Sequence, residues 1–259
     1  MPEAAILDRM RKRLLALLAV FFPVAATACP EASNTVMFHS CWGDAEAESL
    51  LLPEESPVPP TALDRLVVTG GYTGKDVRPE RRPNPVGMFI HRGQIINPTL
   101  ARMDGVVILS PDGRLDIQHR ASVRFGALEF DLRELAERRA FQSDAAAAGQ
   151  TVFQSHLLIS NTALDVRDVE DAPKAVRRLL ILDDSGFGVY QTEDAVTLYQ
   201  AAREVGDALA PRMAVNLDMG SYDYCLETRE GIETNCGVLA RGNTEKLSNL
   251  LVFSLKPRG

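Results

Sequence analysis

The feature that most limits what this chain can fold into is how often its apolar runs are cut short by turn-forming residues. Val106 to Leu109 and Leu115 to His119 flank Pro111-Asp112-Gly113. Proline presets one dihedral and glycine accepts the left-handed region, so the two runs predict a β-hairpin. Val86 to His91 and Gln94 to Ile96 flank Arg92-Gly93 in the same way. Leu66-Val67-Val68 runs into Gly70-Gly71, a turn where the backbone can take positive φ. Further strands are expected at Thr35 to His39, Thr151 to Ser160, Leu179 to Leu182, Met213 to Asp218 and Leu247 to Leu255. Two segments have helical character. Asp131 to Ala148 has Leu132, Leu135, Ala136 and Phe141 as an imperfect apolar face, and its alanines favour helix. Glu193 to Leu209 has Val196, Tyr199, Ala202 and Val205 at helical spacing, Thr192 as its expected N-cap and Pro211 beyond its end. Many short strands with two separate helices predict a single α+β domain, with mixed, largely antiparallel sheets.

The first residues read as a processing segment. Arg9, Arg11, Lys12 and Arg13 precede an apolar run from Leu14 to Ala26, and Ala26-Thr27-Ala28 has the small-x-small pattern of a cleavage site. Residues 1–28 are therefore expected to be a signal peptide; the run is shorter than the roughly 20 apolar residues of a membrane span. Nothing later in the chain is long and apolar enough to span a bilayer, so a periplasmic or secreted protein with no stable membrane span is expected. Lipid anchoring at Cys29 is the alternative, but Ala26 stands where lipoprotein signals carry Leu, and lipidation would orphan Cys41. The cysteines, Cys29, Cys41, Cys225 and Cys236, form two local pairs, as in proteins of oxidising compartments. Cys29–Cys41 and Cys225–Cys236 would each close a short loop, although spacing alone leaves three connectivities open. A net charge of -7 argues against a general nucleic-acid binder. Leu52 to Pro60 is rich in Pro and Glu and reads as an exposed linker. It divides an N-terminal strand and linker (29–60) from a main domain (61–259).

Several polar residues stand where apolar ones are expected. Met213-Ala214-Val215-Asn216-Leu217-Asp218 places Asn216 and Asp218 on an apolar strand that breaks at Gly220-Ser221. A buried polar side chain costs free energy unless paired, so Asp218 is a site candidate; capping the turn is its plainer role. Thr69-Gly70-Gly71-Tyr72-Thr73-Gly74-Lys75 offers backbone amides that could converge on an anion, with Lys75 and Arg78 adding charge, though its spacing is not that of a P-loop. His156 lies at the start of an apolar strand, as an acid, a base, a phosphate donor or a satisfied structural histidine. Arg177-Arg178 precedes Leu179, and one of the two can face inward to grip a phosphate. His39, His91 and His119 sit singly without metal-ligand spacing, so no metal is expected. Ser155 and Ser221 are not in a nucleophile-elbow pattern.

Taken in order, these segments resemble the phosphodiester glycosidase family. Thr69-Gly70-Gly71-Tyr72-Thr73 stands where the family has Asn-Gly-Gly-Tyr/Phe-Phe. Pro85 to Ile90, Gln154 to Ile159 and Arg178 to Gly186 match three further segments. Asn216-Leu217-Asp218-Met219-Gly220-Ser221 corresponds to Asn-Leu-Asp-Gly-Gly-Gly-Ser. The resemblance covers roughly residues 65 to 255. It implies an exported hydrolase that breaks a glycosidic bond to phosphate in a sugar phosphodiester, acting on a carbohydrate or sugar-phosphate ligand with no cofactor. On that reading Asp218 is the base or nucleophile, and Asp223 or Asp184 is the second carboxylate. Arg178, His156 and the Gly70 and Gly71 amides hold the phosphate, and Tyr72, Lys75, Asn216, Gly220 and Ser221 touch the ligand. Thr69 replaces the family's Asn and Met219 stands inside its glycine loop. Both departures fit the alternative, a non-catalytic glycan- or phosphate-binding module of the same fold; a structural role in envelope or exopolysaccharide assembly is a third possibility.

Overall fold

The computed structural model describes residues 28–52, 54–55, 64–74, 83–240 and 242–256. The expected leader up to position 27, most of the linker, Lys75 and Arg78 lie outside the described residues. In chain order the strands are β1 (Val36–His39), β2 (Asp44–Leu51), β3 (Asp64–Thr69), β4 (Phe89–His91), β5 (Gln94–Asn97), β6 (Gly105–Leu109), β7 (Leu115–His119), β8 (Val123–Phe125), β9 (Leu128–Phe130), β10 (Thr151–Ser160), β11 (Ala163–Leu164), β12 (Arg178–Asp183), β13 (Gly186–Gln191), β14 (Met213–Asn216), β15 (Cys225–Arg229), β16 (Ile232–Asn235) and β17 (Asn249–Lys256). The helices are α1 (Leu135–Ala147) and α2 (Leu198–Leu209).

Every ladder among the described residues is antiparallel. A ten-stranded sheet runs β1-β13-β12-β14-β10-β4-β5, with β6, β7 and β11 joined through β10. A five-stranded sheet runs β16-β15-β3-β17-β2. The strand content outweighs the two helices, so the α+β expectation holds in a strand-dominated form. Strands β1 and β2 belong to these sheets, so the segment expected to stand apart before residue 60 is built into the same framework.

Strand alternation explains the layers. Leu180 and Leu182 of β12 point into the core between the sheets, while Leu179 and Ile181 point outward to Ala201, Ala202 and Val205 of α2. Leu66 and Val68 of β3, with Leu251 and Phe253 of β17, face the same inner layer. An aromatic group closes it: Phe38 lies 5.2 Å from Phe253 and 6.0 Å from Phe187, centroid to centroid. Full burial of one such side chain stabilises the fold by roughly 1.5–3 kcal/mol. Helix α1 covers the other half of the large sheet through Phe141 and Ala145, against Met88, Ile90 and Val152. Disulfides join Cys29 to Cys41 and Cys225 to Cys236, the local pairing among the three open connectivities. Two such bonds are the pattern of an oxidising compartment. No helix among the described residues is long and apolar enough to cross a membrane.

The hairpin around Pro111-Asp112-Gly113 forms as expected, from β6 and β7, and β10 has the expected bounds. Helix α1 starts later than Asp131, at Leu135, because the Asp131 carboxylate accepts from the Arg133 amide and guanidinium and holds a turn there. Helix α2 starts at Leu198, not Glu193. Val196 instead exchanges two backbone hydrogen bonds with Ala175, at 2.9 and 3.1 Å, and Thr197 with Gln200 forms a capping box. Thr192, expected as the cap, accepts from the Arg177 amide at 3.0 Å. Leu52 is buried and the Glu55 carboxylate pairs with Arg92 and His91, so the start of the expected linker is packed. Strand β14 ends at Asn216, two residues before the expected limit, because the next amides leave the ladder: Leu217 donates to the Arg178 carbonyl and Asp218 to the Gly70 carbonyl.

Thr197→Ala removes the α2 cap and should lower unfolding free energy by about 1 kcal/mol in urea melts.

Candidate functional site

The site is built where β3 and β14 end and β12 begins. Across the large sheet, Asn216 pairs in register with His156 of β10 on one side and with Leu179 of β12 on the other. The chain then carries Asp218 towards the residues that follow β3. The Asp218 amide donates to the Gly70 carbonyl at 3.0 Å, and its Oδ2 accepts from the Thr73 amide at 2.9 Å. Asp218 is only 5% exposed. Burial pushes its carboxyl up to about 6, against the opposing pull of the Thr73 and Met219 amides. Thr73 is itself fixed by Ser248: their hydroxyls lie 3.0 Å apart, and the Ser248 amide donates to the Thr73 Oγ1 at 3.1 Å.

Asn249 locks the glycine turn. Its Oδ1 accepts from the Gly71 amide at 2.8 Å and its Nδ2 donates to the Gly71 carbonyl at 2.9 Å. A Cβ on Gly70 would lie 2.3 Å from that Oδ1, so glycine is needed for close approach. Neither Gly70 nor Gly71 takes the positive φ expected of the turn. The amides expected to hold phosphate are directed elsewhere: Gly70 donates to the Asn249 carbonyl and Gly71 to the Asn249 side chain.

Beside Asp218 lies a second polar group. The Asn216 Nδ2 donates to the Tyr72 hydroxyl oxygen and, at 2.8 Å, to the Leu217 carbonyl. A carbonyl only accepts, so this contact fixes the amide orientation. Asn216 Oδ1 is left buried with no partner among the described residues. Tyr72 meets His156 edge to face at 5.3 Å. Burial raises the Tyr72 phenol to about 12 and Asp218 adds to the rise, while the Asn216 bond and Arg177 oppose it; the hydroxyl keeps a proton to donate. His156 is shifted down by burial, with Asp104 opposing and Arg177 reinforcing the shift, so the imidazole is neutral at neutral pH. Arg177 is half-buried and held by backbone carbonyls, Nε on Val196 at 3.2 Å and Nη2 on Pro173 at 2.7 Å. Burial lowers its pKa and Tyr72 opposes the shift, but a guanidinium stays charged.

The other predicted residues are placed differently. Arg178, the expected phosphate grip, is 0% exposed. It donates to Asp223 Oδ1 at 2.7 Å, to the Tyr224 carbonyl at 3.4 Å and to Gln191 Oε1 at 2.5 Å. Burial lowers its pKa and Asp223 counteracts the shift. Asp223, the expected second carboxylate, is thus paired with Arg178, and its Oδ2 accepts from the Val238 amide at 3.3 Å. Asp184, the other option, follows the far end of β12 from Arg178, about 20 Å along the strand. Gly220 and Ser221 lie exposed on the short turn Gly220–Tyr222, Gly220 at φ +75°. Thr69 braces that loop: its hydroxyl donates to the Tyr222 carbonyl at 2.6 Å and accepts from the Tyr224 amide at 2.9 Å.

Arg177 and Thr73 lie in segments that the sequence singles out without giving either a role of its own, and Ser248 and Asn249 are not singled out. The arginine pair left open which member turns inward; strand alternation sends Arg178 into the core and leaves Arg177 beside Tyr72. Ser248-Asn249 opens an apolar run, the same signal that singled out Asn216 and Asp218.

No protein-family model matches the chain, and neither does any curated protein. Among solved structures, the chain is similar to the catalytic domain of zebrafish N-acetylglucosamine-1-phosphodiester alpha-N-acetylglucosaminidase, auto-inhibited by its pro-peptide, at 12% identity and a TM-score of 0.47, over 85% of this chain and 74% of that one. It is also similar to a hypothetical protein from Synechocystis at 12% identity and a TM-score of 0.44, over 84% of this chain and 58% of that one. These likenesses assign no role to any residue here.

Two stability tests follow from the geometry. The Asp218 pKa is raised on folding, so its burial penalty is absent at pH 4 and grows as pH rises through about 6. Asp218→Asn should therefore gain stability over wild type between pH 4 and 7, by on the order of 2 kcal/mol, read as diverging urea midpoints. Arg178→Met should cost about 3–5 kcal/mol by stranding Asp223, and Arg178→Met/Asp223→Leu should cost less than the sum of the single changes.

Proposed function

We propose that this chain is an exported hydrolase that cleaves the glycosidic bond to phosphate in a sugar phosphodiester of a glycan or envelope polymer. The observation that carries the reading is Asp218, a buried carboxylate with its pKa raised to about 6, standing beside polar groups with unused hydrogen-bonding capacity. A carboxylate whose pKa is strongly shifted by burial is a candidate for a functional site. Asn216 Oδ1 is a buried acceptor with no partner among the described residues, and the Tyr72 hydroxyl is a donor. Arg177 supplies the positive charge a phosphate needs, with the neutral His156 beside it. The family motifs in the sequence support the same substrate class.

Most glycosidases use two carboxylates, one as acid and one as base or nucleophile. Here Asp223 is committed to Arg178, which leaves Asp218 as the base or nucleophile. A departing phosphate needs little protonation, so Arg177 and His156 stabilise its charge in place of a strong general acid. Gly220 and Ser221, both exposed, are assigned to the rim of the same site.

The commitment of Asp223 also favours a second reading, a non-catalytic module that binds the same class of ligand. An assay on sugar-1-phosphodiesters separates the two. The first reading expects turnover, with kcat/KM rising with pH through about 6 as Asp218 ionises. It also expects a loss of at least about 10²-fold in Asp218→Asn, about 2.7 kcal/mol of transition-state stabilisation. Ligand bound but recovered intact assigns the chain to the binder; no turnover and no binding removes both.

A further inference from the structure

A second cluster lies at the opposite end of β12, away from Asp218. His39 is fully buried at the end of β1. Its Nε2 faces Asp183 Oδ2 at 3.1 Å, and its Nδ1 accepts from the Cys41 amide at 3.2 Å. Asp183 is an acceptor here, its Oδ1 taking the Ser185 amide and hydroxyl and the Gly186 amide. Both contacts fix one tautomer: the proton is on Nε2 and the lone pair on Nδ1. The His39 ring belongs to a group with the sulfurs of Cys29 and Cys41 in which one ligand atom from each residue lies within 4.8 Å of the others, and Nδ1 is the nitrogen turned towards Cys41. The slot for the ring is cut by glycine: Gly188 is the register partner of His39, and a Cβ there would come within 2.7 Å of the imidazole.

We infer that Cys29, Cys41 and His39 are a latent zinc site, closed while the two cysteines are joined and opened by a dithiol reductant. The reductant gives two electrons and two protons to the S–S bond. It leaves as its own disulfide, and two thiols remain. Zn²⁺ then binds both sulfurs and His39 Nδ1, displacing the Cys41 amide from that lone pair, and releases the two thiol protons. Two thiolates and an imidazole suit zinc rather than calcium or magnesium, which take oxygen ligands. Tetrahedral bonds of about 2.3 Å separate two sulfurs by about 3.8 Å, so the cysteines must part by a small movement. Cys29 is exposed and supplies that freedom, while leaving the fourth position open to water. The imidazole is already backed by a carboxylate, as metal-bound histidines usually are.

The full chain, oxidised and then reduced with a phosphine, would be titrated with Co²⁺ as a spectroscopic probe and with Zn²⁺. The oxidised form is expected to bind neither. The reduced form should take one ion, with thiolate charge-transfer and tetrahedral bands for Co²⁺. Zn²⁺ should shield Cys29 and Cys41 from alkylation, mapped by mass spectrometry. Asp183→Asn should weaken Zn²⁺ binding about 10–100-fold, and Cys29→Ser should abolish the bands. No bands in reduced wild type, alkylation of Cys29 and Cys41 unaffected by zinc, or bands that survive Cys29→Ser would each overturn the inference. The alkylation map on wild type decides the matter even where a variant fails to fold, and shielding confined to Cys225 and Cys236 counts against it.

Discussion

The ion pair between Arg178 and Asp223 is the constraint on which the site end of the sandwich depends. Arg178 opens β12 of the large sheet, and Asp223 precedes β15 of the small one. A guanidinium cannot shed its proton, so once the sheets close over it the charge has to be met from across the interface. Asp223 and the Tyr224 carbonyl meet it from there, and Gln191, the register partner of Arg178 on β13 of the same sheet, adds a third acceptor. The net gain over an apolar contact is small, but the penalty for misalignment is large. The pair therefore acts as a register pin between the sheets, together with the hydrogen bonds that tie Asp218 to Gly70 and Thr73, across inner layers otherwise filled by non-directional hydrocarbon and aromatic packing.

That pin also shapes the chemistry. It commits one carboxylate to an ion pair and ties down the chain that follows Asp218 and Gly220. Thr69 reinforces the loop by bridging Tyr222 and Tyr224, and the Cys225–Cys236 bond closes its far side. Asp218 is left as the unsalted acid among fixed amides. Its raised pKa and the orphaned Asn216 oxygen are two of the costs the fold tolerates among its described residues, beside the unpaired buried Ser49 Oγ and Arg178 Nε.

Local chemistry was the legible part of the sequence. Pro111-Asp112-Gly113 dictates its hairpin whatever surrounds it, and the β-rich run at Thr151 to Ser160 is a strand in any context. The start of α2 was not legible, because Val196 fits a helical face by spacing and is claimed instead by Ala175, a partner distant in sequence. The arginines show the same limit. Sequence identified a pair at a strand mouth, but which member is structural depends on where Asp223 arrives, and that is a tertiary fact. Gly70 and Gly71 were legible as special but for another reason: the demand comes from Asn249 approaching their backbone, not from a left-handed turn.

Strand β2 forms one border of the small sheet, and its outward residues include Asp44, Glu46 and Glu48, all exposed. A border strand is a template for recruiting a strand from another copy, although here the Ala47 amide is taken by the Gly113 carbonyl at 3.1 Å and the Leu51 amide by Glu55 Oε2 at 2.8 Å. Here any such partner of the same chain would bring its own acids opposite these, and like charges facing each other across a ladder are unfavourable. Arg92 pairs with Glu48 from within the molecule and so offers no bridge to a neighbour. The acidic border thus acts as a guard against self-association in a strand-rich protein.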